Sequence, residues 1–580
     1  MSRKLWHGSR WPKGVPYEIE GYEKPLFSIL DHAARDYPDK TYTIFNDFTR
    51  TFAQVKDTAD RLAAFLVSRG IRPGDRVAIF LPNLPHYPEI FFGILKAGAV
   101  CVTCNPLYQV SELNFQLKDS GARAVFAMDH LQFYPTTVEA IKGSDVETVV
   151  VCSVKSYLPW LKGVLGSLLG KIPRADSHEP GHLMFDDVVR SSRPAPPELE
   201  IDAVNSEALI LYTGGTTGVP KGARLSHANL LSNVLSTEQW VLFSPDPEEK
   251  PKRLEKGGAH TYLGVLPWYH SLGLTLCMLT ACINASRLVC IPDPRAGDPP
   301  FTGVLEAVEK YKVTIVVAVP TIYSAFVNHP LIDKFDLSSI IGCGSGAAPL
   351  PVEVIRQFEE KTGAVIFEGY GLTEASPVIT TNPTDPDQRK IGSVGMPSLS
   401  TDIKIVDLET GLQELPQGED GEIAACGPQV MMGYWNKPGA DKEVFREIDG
   451  KRYFLTGDIG HFDEDGFLII TDRKKDLIIV GGFNAYPKEI EEALYAHPKV
   501  ALVAVVGVPD PRSGEAVKAF IQLKPSEEAT EEEFLEFCKE RLAGYKRPRE
   551  IEFRESLPVS VVGKVLRRVL RDEELEKRKK

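Results

Sequence analysis

Between residues 76 and 367 a series of short apolar runs recurs, each separated from the next by helical or polar sequence. The runs at 76–81, 99–103, 122–128, 146–152, 208–212, 259–266, 287–291, 313–319, 339–343 and 365–367 read as strands, and 26–36 and 90–97 as helices. Strands alternating with helices imply parallel sheets covered by helices, because parallel strands need a crossover between them. With 580 residues the chain has room for roughly two to four domains and large cores without disulfide staples. It is 43% hydrophobic and 25% charged, which excludes wholesale disorder and fibrous repeats.

The pattern changes after residue 400. Runs at 402–407, 421–426 and 467–471, separated by Gly and Pro turns, read as a small antiparallel barrel or sheet. A compact α+β run follows, with a helix at 487–497, strands at 500–508 and 516–523, and a helix at 531–542. The expected fold is therefore α/β: a large N-terminal domain (1–471) of stacked, mostly parallel sheets with a β-barrel-like subdomain, then a small C-terminal domain (472–580). The net charge of −13 places no nucleic acid among the expected partners. Residues 544–580 nonetheless carry 12 Lys and Arg against 7 Asp and Glu, a solvated helix end or a face for a phosphate-rich ligand.

The nine cysteines are scattered, as in a reducing cytoplasm. Cys101 and Cys104 form a C-x-x-C inside a Val/Ala-rich run and read as part of a strand rather than a metal or redox pair. The N-terminus has no apolar core of a signal peptide. The stretch 257–286 lacks Lys, Arg, Asp and Glu but is broken by His260, Pro267 and His270, so strand, loop and buried helix are expected there, not a membrane span. Leu161, Val164, Leu165, Leu168, Leu169 and Ile172 share one helical face, with Lys155, Lys162 and Lys171 in or beside it. Two readings stand for 155–172: a peripheral contact with the inner face of a membrane, or a helix packed on its own domain.

Residues 211–222, LYTGGTTGVPKG, follow an apolar strand. Their glycines, threonines and lysine suit a loop that wraps a polyphosphate, although the Walker A spacing is not met and a plain surface loop has the same composition. Residues 342–347 fit G-x-G-x-x-A after a strand, with Glu368 ending the next apolar run. That imitates a dinucleotide fingerprint and leaves an NAD oxidoreductase as a remote alternative, which Pro349 and Pro351 argue against.

The loop YTGGTTGVPKG, then LPWYHSLG (266–273), GYGLTEASP (369–377), YFLTGDIG (453–460), DRKKDLIIVGGFNAYPKEIE (472–491) and GKVLRR (563–568) occur in that order. Together they resemble the acyl- and aryl-CoA synthetases of the adenylate-forming superfamily, over about residues 25–575. GPQVMMGYW (427–435) and GYKRPREIEF (544–553) make the bacterial long-chain fatty acid–CoA ligases the most similar branch.

The resemblance implies ATP, Mg²⁺ and CoA, and a two-step reaction through acyl-AMP. By it, Thr213, Gly214, Gly215, Thr216, Thr217, Gly218 and Lys221 hold the β- and γ-phosphates, Thr373 contacts the α-phosphate, and Glu374 binds Mg²⁺. Gly346, Ala347, Ala348 and Tyr370, with Glu368, Gly369 and Gly371, form the adenine slot. Asp458 accepts the ribose hydroxyls, with Arg473 beside it. Lys564 is the adenylation lysine, and His270 shifts as the site opens to the thiol. Lys475 is the hinge of a mobile C-terminal domain, and Gly481 and Gly482 border the pantetheine thiol. An acyl pocket is expected between the His270 segment, 318–323 and 341–346. Gly342 and Gly344 leave room for a medium- or long-chain fatty acid, and Leu274 stands where some relatives carry a gating tryptophan. Alternatives are a CoA ligase for an aromatic, alicyclic or substituted acid, and an acyl-AMP ligase loading a carrier protein. A homodimer is left open.

Overall fold

The computed structural model describes residues 6–8, 10–168, 172–213, 220–242, 257, 260–559 and 565–578. The described strands form four sheets. One has eight strands in the order Gly433–Tyr434, Lys221–Ser226, Glu207–Thr213, Val100–Thr103, Arg76–Phe80, Ala122–Met128, Thr148–Cys152 and Leu183–Met184. From Glu207–Thr213 onward these are parallel, and the first two add antiparallel. A second has nine strands in the order Met396–Pro397, Val378–Thr381, Val365–Gly371, Gly342–Ser345, Ile315–Ala318, Thr261–Gly264, Arg287–Cys290, Thr41–Phe45 and Phe48–Thr51. It is parallel from Val365–Gly371 to Thr41–Phe45.

Strand periodicity explains the layering. Val77 and Ile79 enter one core, shared with the nine-stranded sheet and with the helices Phe52–Ser68 and His86–Lys96. Ala78 and Phe80 enter another, under Leu113 and Leu117 of Val110–Ser120. Successive side chains point to opposite faces, and here both faces are covered, as a parallel sheet demands. Every residue of His86–Lys96 is buried, because the helix lies between layers.

The expected mostly parallel α/β architecture is present, with shifted boundaries. The helix expected from 90 begins at His86, since Pro85 and Pro88 are tolerated in a first turn. The strand expected at 339–343 is Gly342–Ser345, where pairing to a parallel strand on each side overrides glycine's poor propensity. The hairpin Thr41–Phe45/Phe48–Thr51 and the helix Phe52–Ser68 carry clear local signals that the sequence reading did not use. Asn46 and Asp47 both have positive φ (48° and 74°) in a two-residue turn, and Thr51 and Gln54 form a capping box. Cys101 and Cys104 are fully buried, the first in a strand. On the helix Trp160–Leu168, Leu161 and Leu165 are 65% and 56% exposed, and Lys162 meets Asp47 at 2.7 Å.

Asp402–Val406, Gly421–Cys426, Phe445–Ile448, Lys451–Phe462 and Leu468–Arg473 form a five-stranded antiparallel sheet. From Ile478 onward another five-stranded sheet has its own cores, one on Ile490, Val503, Ile521 and Phe534, the other on Val506, Phe520 and Leu570. Arg567 joins these elements to the preceding strand. It meets Glu491 at 2.5 Å, Asp472 at 3.2 Å and Asp476 at 3.3 Å. Asp472 also accepts from the Lys488 backbone N–H at 2.7 Å. Burial raises the Glu491 pKa, and Arg567 opposes that rise. Removing one partner of a buried pair strands the other. Arg567→Ala should therefore destabilise the C-terminal elements by about 3–5 kcal/mol in urea unfolding.

Candidate active site

A cavity of about 550 Å³ opens at the C-terminal ends of the central parallel strands of the nine-stranded sheet, the edge where ligands bind in open α/β sheets. Its polar end is lined by Thr213, His270, Gly346, Ala347, Gly369, Tyr370, Gly371, Thr373, Glu374 and Arg473. Residues from five segments, far apart in sequence, thus meet at one sheet edge.

Tyr370 donates to Asp458 Oδ2 at 2.5 Å, and Arg473 Nε lies 3.2 Å from Asp458 Oδ1. Burial, then the Asp458 charge, holds the Tyr370 pKa well above its usual value. Glu374 Oε1 accepts from the Tyr434 hydroxyl at 2.8 Å. Burial raises the Glu374 pKa and the Tyr434 hydrogen bond opposes it. A desolvated carboxyl of this kind gains by meeting a cation, and a glutamate oxygen is a suitable donor for a hard divalent ion. His270 Nδ1 accepts from the Leu272 N–H at 3.4 Å, and burial lowers the His270 pKa. Ser271 Oγ and Ser345 Oγ line the cavity and are buried without a hydrogen-bond partner, which suits a polar ligand.

Thr213 and Lys221 face each other in an antiparallel pair, so the Gly/Thr loop joins two strands rather than a strand to a helix. Lys221 Nζ lies 5.2 Å from the centre of the Tyr434 ring. Gly214, Gly215, Thr216, Thr217, Gly218 and Lys564 lie outside the described residues. Lys221, Ala348, Glu368, Asp458, Lys475, Gly481 and Gly482 do not line the cavity. Glu368 instead accepts from the Leu350 N–H at 3.1 Å, which ties down the loop after Gly342–Ser345. Burial, then Arg473, lowers the Lys475 pKa. Gly481 and Gly482 have φ of 59° and 86° between the paired strands Ile478–Val480 and Phe483–Ala485, a turn that favours glycine at both positions.

The apolar end needs one correction. The segment 318–323 is absent from the cavity wall, and Ile315 and Val317 of the preceding strand stand there instead. Tyr323 is fully buried and donates to the Gly344 carbonyl at 2.8 Å. Thr237, Glu238, Trp240 and Val241, from the helix His227–Leu242, form a further wall that the sequence reading missed. So was Tyr434. No spacing links Tyr434 to Glu374, since the pair is made only by the fold.

The sequence pattern of the family "AMP-binding enzyme" matches residues 30–435, and that of "AMP-binding enzyme C-terminal domain" matches 489–564. The chain is 41% identical to a long-chain-fatty-acid–CoA ligase of Bacillus subtilis (strain 168), over 99% of each chain. It is 38% identical to one of Salmonella typhimurium, over 98% of each. Among solved structures it is similar to the anthranilate CoA ligase AuaEII in complex with anthranoyl-AMP, with a TM-score of 0.80, 26% identity, and 96% and 99% of the two chains covered. ATP-bound MatB from Rhodopseudomonas palustris matches with a TM-score of 0.76 and 30% identity, covering 95% and 98%. The chain belongs to the AMP-binding enzyme family.

Tyr434 should matter through Glu374. Tyr434→Phe removes the hydrogen bond that favours the charged carboxylate, so the Glu374 pKa should rise further. The acid limb of the pH profile for ATP binding should move to higher pH, with the alkaline side unmoved.

Proposed function

We propose that the chain joins a medium- or long-chain fatty acid to CoA, using ATP and Mg²⁺, through acyl-AMP. The observation that carries this reading is one continuous cavity. Its polar end holds Tyr370, Thr373, Glu374 and Arg473, and its other end is walled by Val241, Leu276, Ile315, Val317 and Phe367. The long-chain-fatty-acid–CoA ligases that match along their whole length support the same acid and the same acceptor.

In the first step a carboxylate oxygen attacks the α-phosphorus. A new P–O bond forms, the bond to the β-phosphate oxygen breaks, and pyrophosphate leaves. Both reactants are anions, so positioning and charge neutralisation are the task. Thr213, Lys221 and residues 214–218 take the β- and γ-phosphates, and Thr373 takes the α-phosphate. Glu374 holds Mg²⁺, which when bound supplies positive charge at the phosphates. The adenine lies against Gly346, Ala347 and Tyr370, with Ala348, Glu368, Gly369 and Gly371 shaping the slot. Asp458, oriented by Tyr370 and Arg473, accepts from the ribose. Lys564 brings its ammonium to the carboxylate and α-phosphate. In the second step the CoA sulfur attacks the acyl carbon, and the acyl–oxygen bond to AMP breaks. His270, neutral through burial, shifts to admit the thiol beside Gly481 and Gly482.

The units 1–471 and 472–580 alternate about Lys475 between the two steps. The helix Trp160–Leu168, with Leu161, Val164 and Leu165 outward, makes a peripheral contact with the inner face of a membrane. Among the described residues no helix is long and apolar enough to cross one.

AMP release should require an acid, CoA and Mg²⁺, and should be faster with octanoate or palmitate than with acetate or benzoate. A rate confined to benzoate would overturn the choice of acid. Lys564→Ala should lower acyl-AMP formation by about 10²–10³ while leaving thioester formation from supplied acyl-AMP near the wild-type rate. Leu161→Asp with Leu165→Asp should reduce co-sedimentation with vesicles of mixed neutral and anionic phospholipid.

A further inference from the structure

One wall of the cavity is backed by a part of the chain that does not itself reach the cavity. Trp240 of the helix His227–Leu242 is 2% exposed and lines the cavity with Thr237 and Val241. Its indole N–H donates to the Asn382 carbonyl at 3.0 Å. Asn382 is itself fixed. Its backbone N–H donates to the Glu368 carbonyl at 2.9 Å, and its side chain donates to the Ser393 carbonyl at 2.9 Å. One edge of the indole is therefore tied to the sheet, and packing must hold the rest of the ring.

That packing comes from residues near the N-terminus. Trp11 stands edge-on to Trp240, with ring centroids 5.0 Å apart and planes at 84°, a geometry that aromatic pairs favour. Trp11 is not in the cavity lining, so it touches Trp240 from outside the cavity. It is held there in turn. Its indole N–H donates to the Val15 carbonyl at 2.9 Å. Trp6 stacks on Phe462 at 5.2 Å, and His7 on Tyr17 at 3.7 Å. Ser400 Oγ accepts from the Ile19 N–H at 3.0 Å, and the Ser400 N–H donates to the Tyr17 carbonyl at 2.9 Å. Trp11, Val15, Ile19 and Trp240 share one core with Ile379. The described residues from Trp6 to Ile19 thus form a strap, pinned at Phe462 and Ser400, that carries Trp11 against the cavity wall.

A ring tied at one edge can turn about that edge once the group behind it is removed, because side chains relax into part of the space left by a deletion. The width of the cavity at Trp240 is therefore set by a residue outside it. We propose that Trp11 is a positioning residue that acts through Trp240 to keep the acyl end of the cavity narrow, so that straight-chain acids are preferred to methyl-branched acids of the same carbon count. This rests on the ligase reading above and narrows its acid.

The experiment measures kcat/KM from AMP release for decanoate against its isomer 3,7-dimethyloctanoate, and for palmitate against its isomer 3,7,11-trimethyltridecanoate. The wild type should prefer each straight acid. Trp11→Leu keeps an apolar side chain but removes the ring edge. Its straight-to-branched ratio should fall about tenfold, while KM for ATP stays at the wild-type value. Trp11→Phe restores a ring and should restore most of the ratio. Trp240→Leu should lower the ratio by itself, and adding Trp11→Leu to it should lower the ratio no further, since two residues that act as one unit are not additive. Equal use of straight and branched acids by the wild type overturns this inference and spares the ligase reading. So does a ratio unchanged in Trp11→Leu, or an equal further fall on the Trp240→Leu background. No AMP with any acid overturns both.

Discussion

The hydroxyl of Tyr370 meets Asp458, and Asp458 meets Arg473; this tie holds the polar end of the cavity together. Tyr370 lies on Val365–Gly371 of the nine-stranded sheet, whereas Asp458 and Arg473 are cross-strand partners in the antiparallel sheet. Parallel strands end in loops and cannot close a site by themselves. Docking an antiparallel sheet against their C-terminal edge supplies the missing wall. Burial keeps Tyr370 protonated, so the bond has one direction: the phenol donates and the carboxylate keeps acceptor capacity for a ligand.

The strand that carries Arg473 also carries Asp472. Neighbouring residues on a strand point to opposite faces. Arg473 therefore lines the cavity while Asp472 turns to Arg567 and the Lys488 backbone N–H. The Lys488 ammonium reaches the Ile470 carbonyl at 2.6 Å on the same strand. Any displacement of Pro487–Tyr495 or Arg567–Lys577 consequently pulls on the strand holding Arg473. The ion cluster couples the C-terminal elements to the cavity through the backbone of this strand, and Leu566 joins the cavity wall directly.

Much of this was legible in the sequence, for reasons that differ by element. The buried parallel strands announced themselves because residues such as 122–128 and 148–152 must be apolar on both faces. The residues at the polar end could be grouped through motifs in order, as Tyr370, Glu374 and Asp458 were. Local pattern failed where partners are remote. Tyr434 reaches Glu374 across the fold, and Glu238 looks like any polar residue of a surface helix until the sheet is laid beneath it. The segment 318–323 was misplaced because its apolar character comes from packing behind Gly344, not from facing a ligand. Gly481 and Gly482 show the opposite ambiguity, since their turn needs glycine whatever else approaches it.

The charge around the cavity gives the final constraint. Among the described residues that line it, Arg473 is the one permanent cation, while Glu374 and Glu238 are both carboxyl groups and His270 is held neutral by burial. Such a wall favours an uncharged acyl chain and a nucleoside but opposes a triphosphate and a carboxylate brought together. At an effective dielectric of about 20, two unit charges 4 Å apart repel by about 4 kcal/mol, and the reacting pair carries several. Under the function proposed above, the counter-charge comes from groups outside the described lining: a divalent ion at Glu374, Lys221 and Lys564. On that proposal the imported positive charge can leave again between steps, which would let one cavity first join two anions and then release one of them.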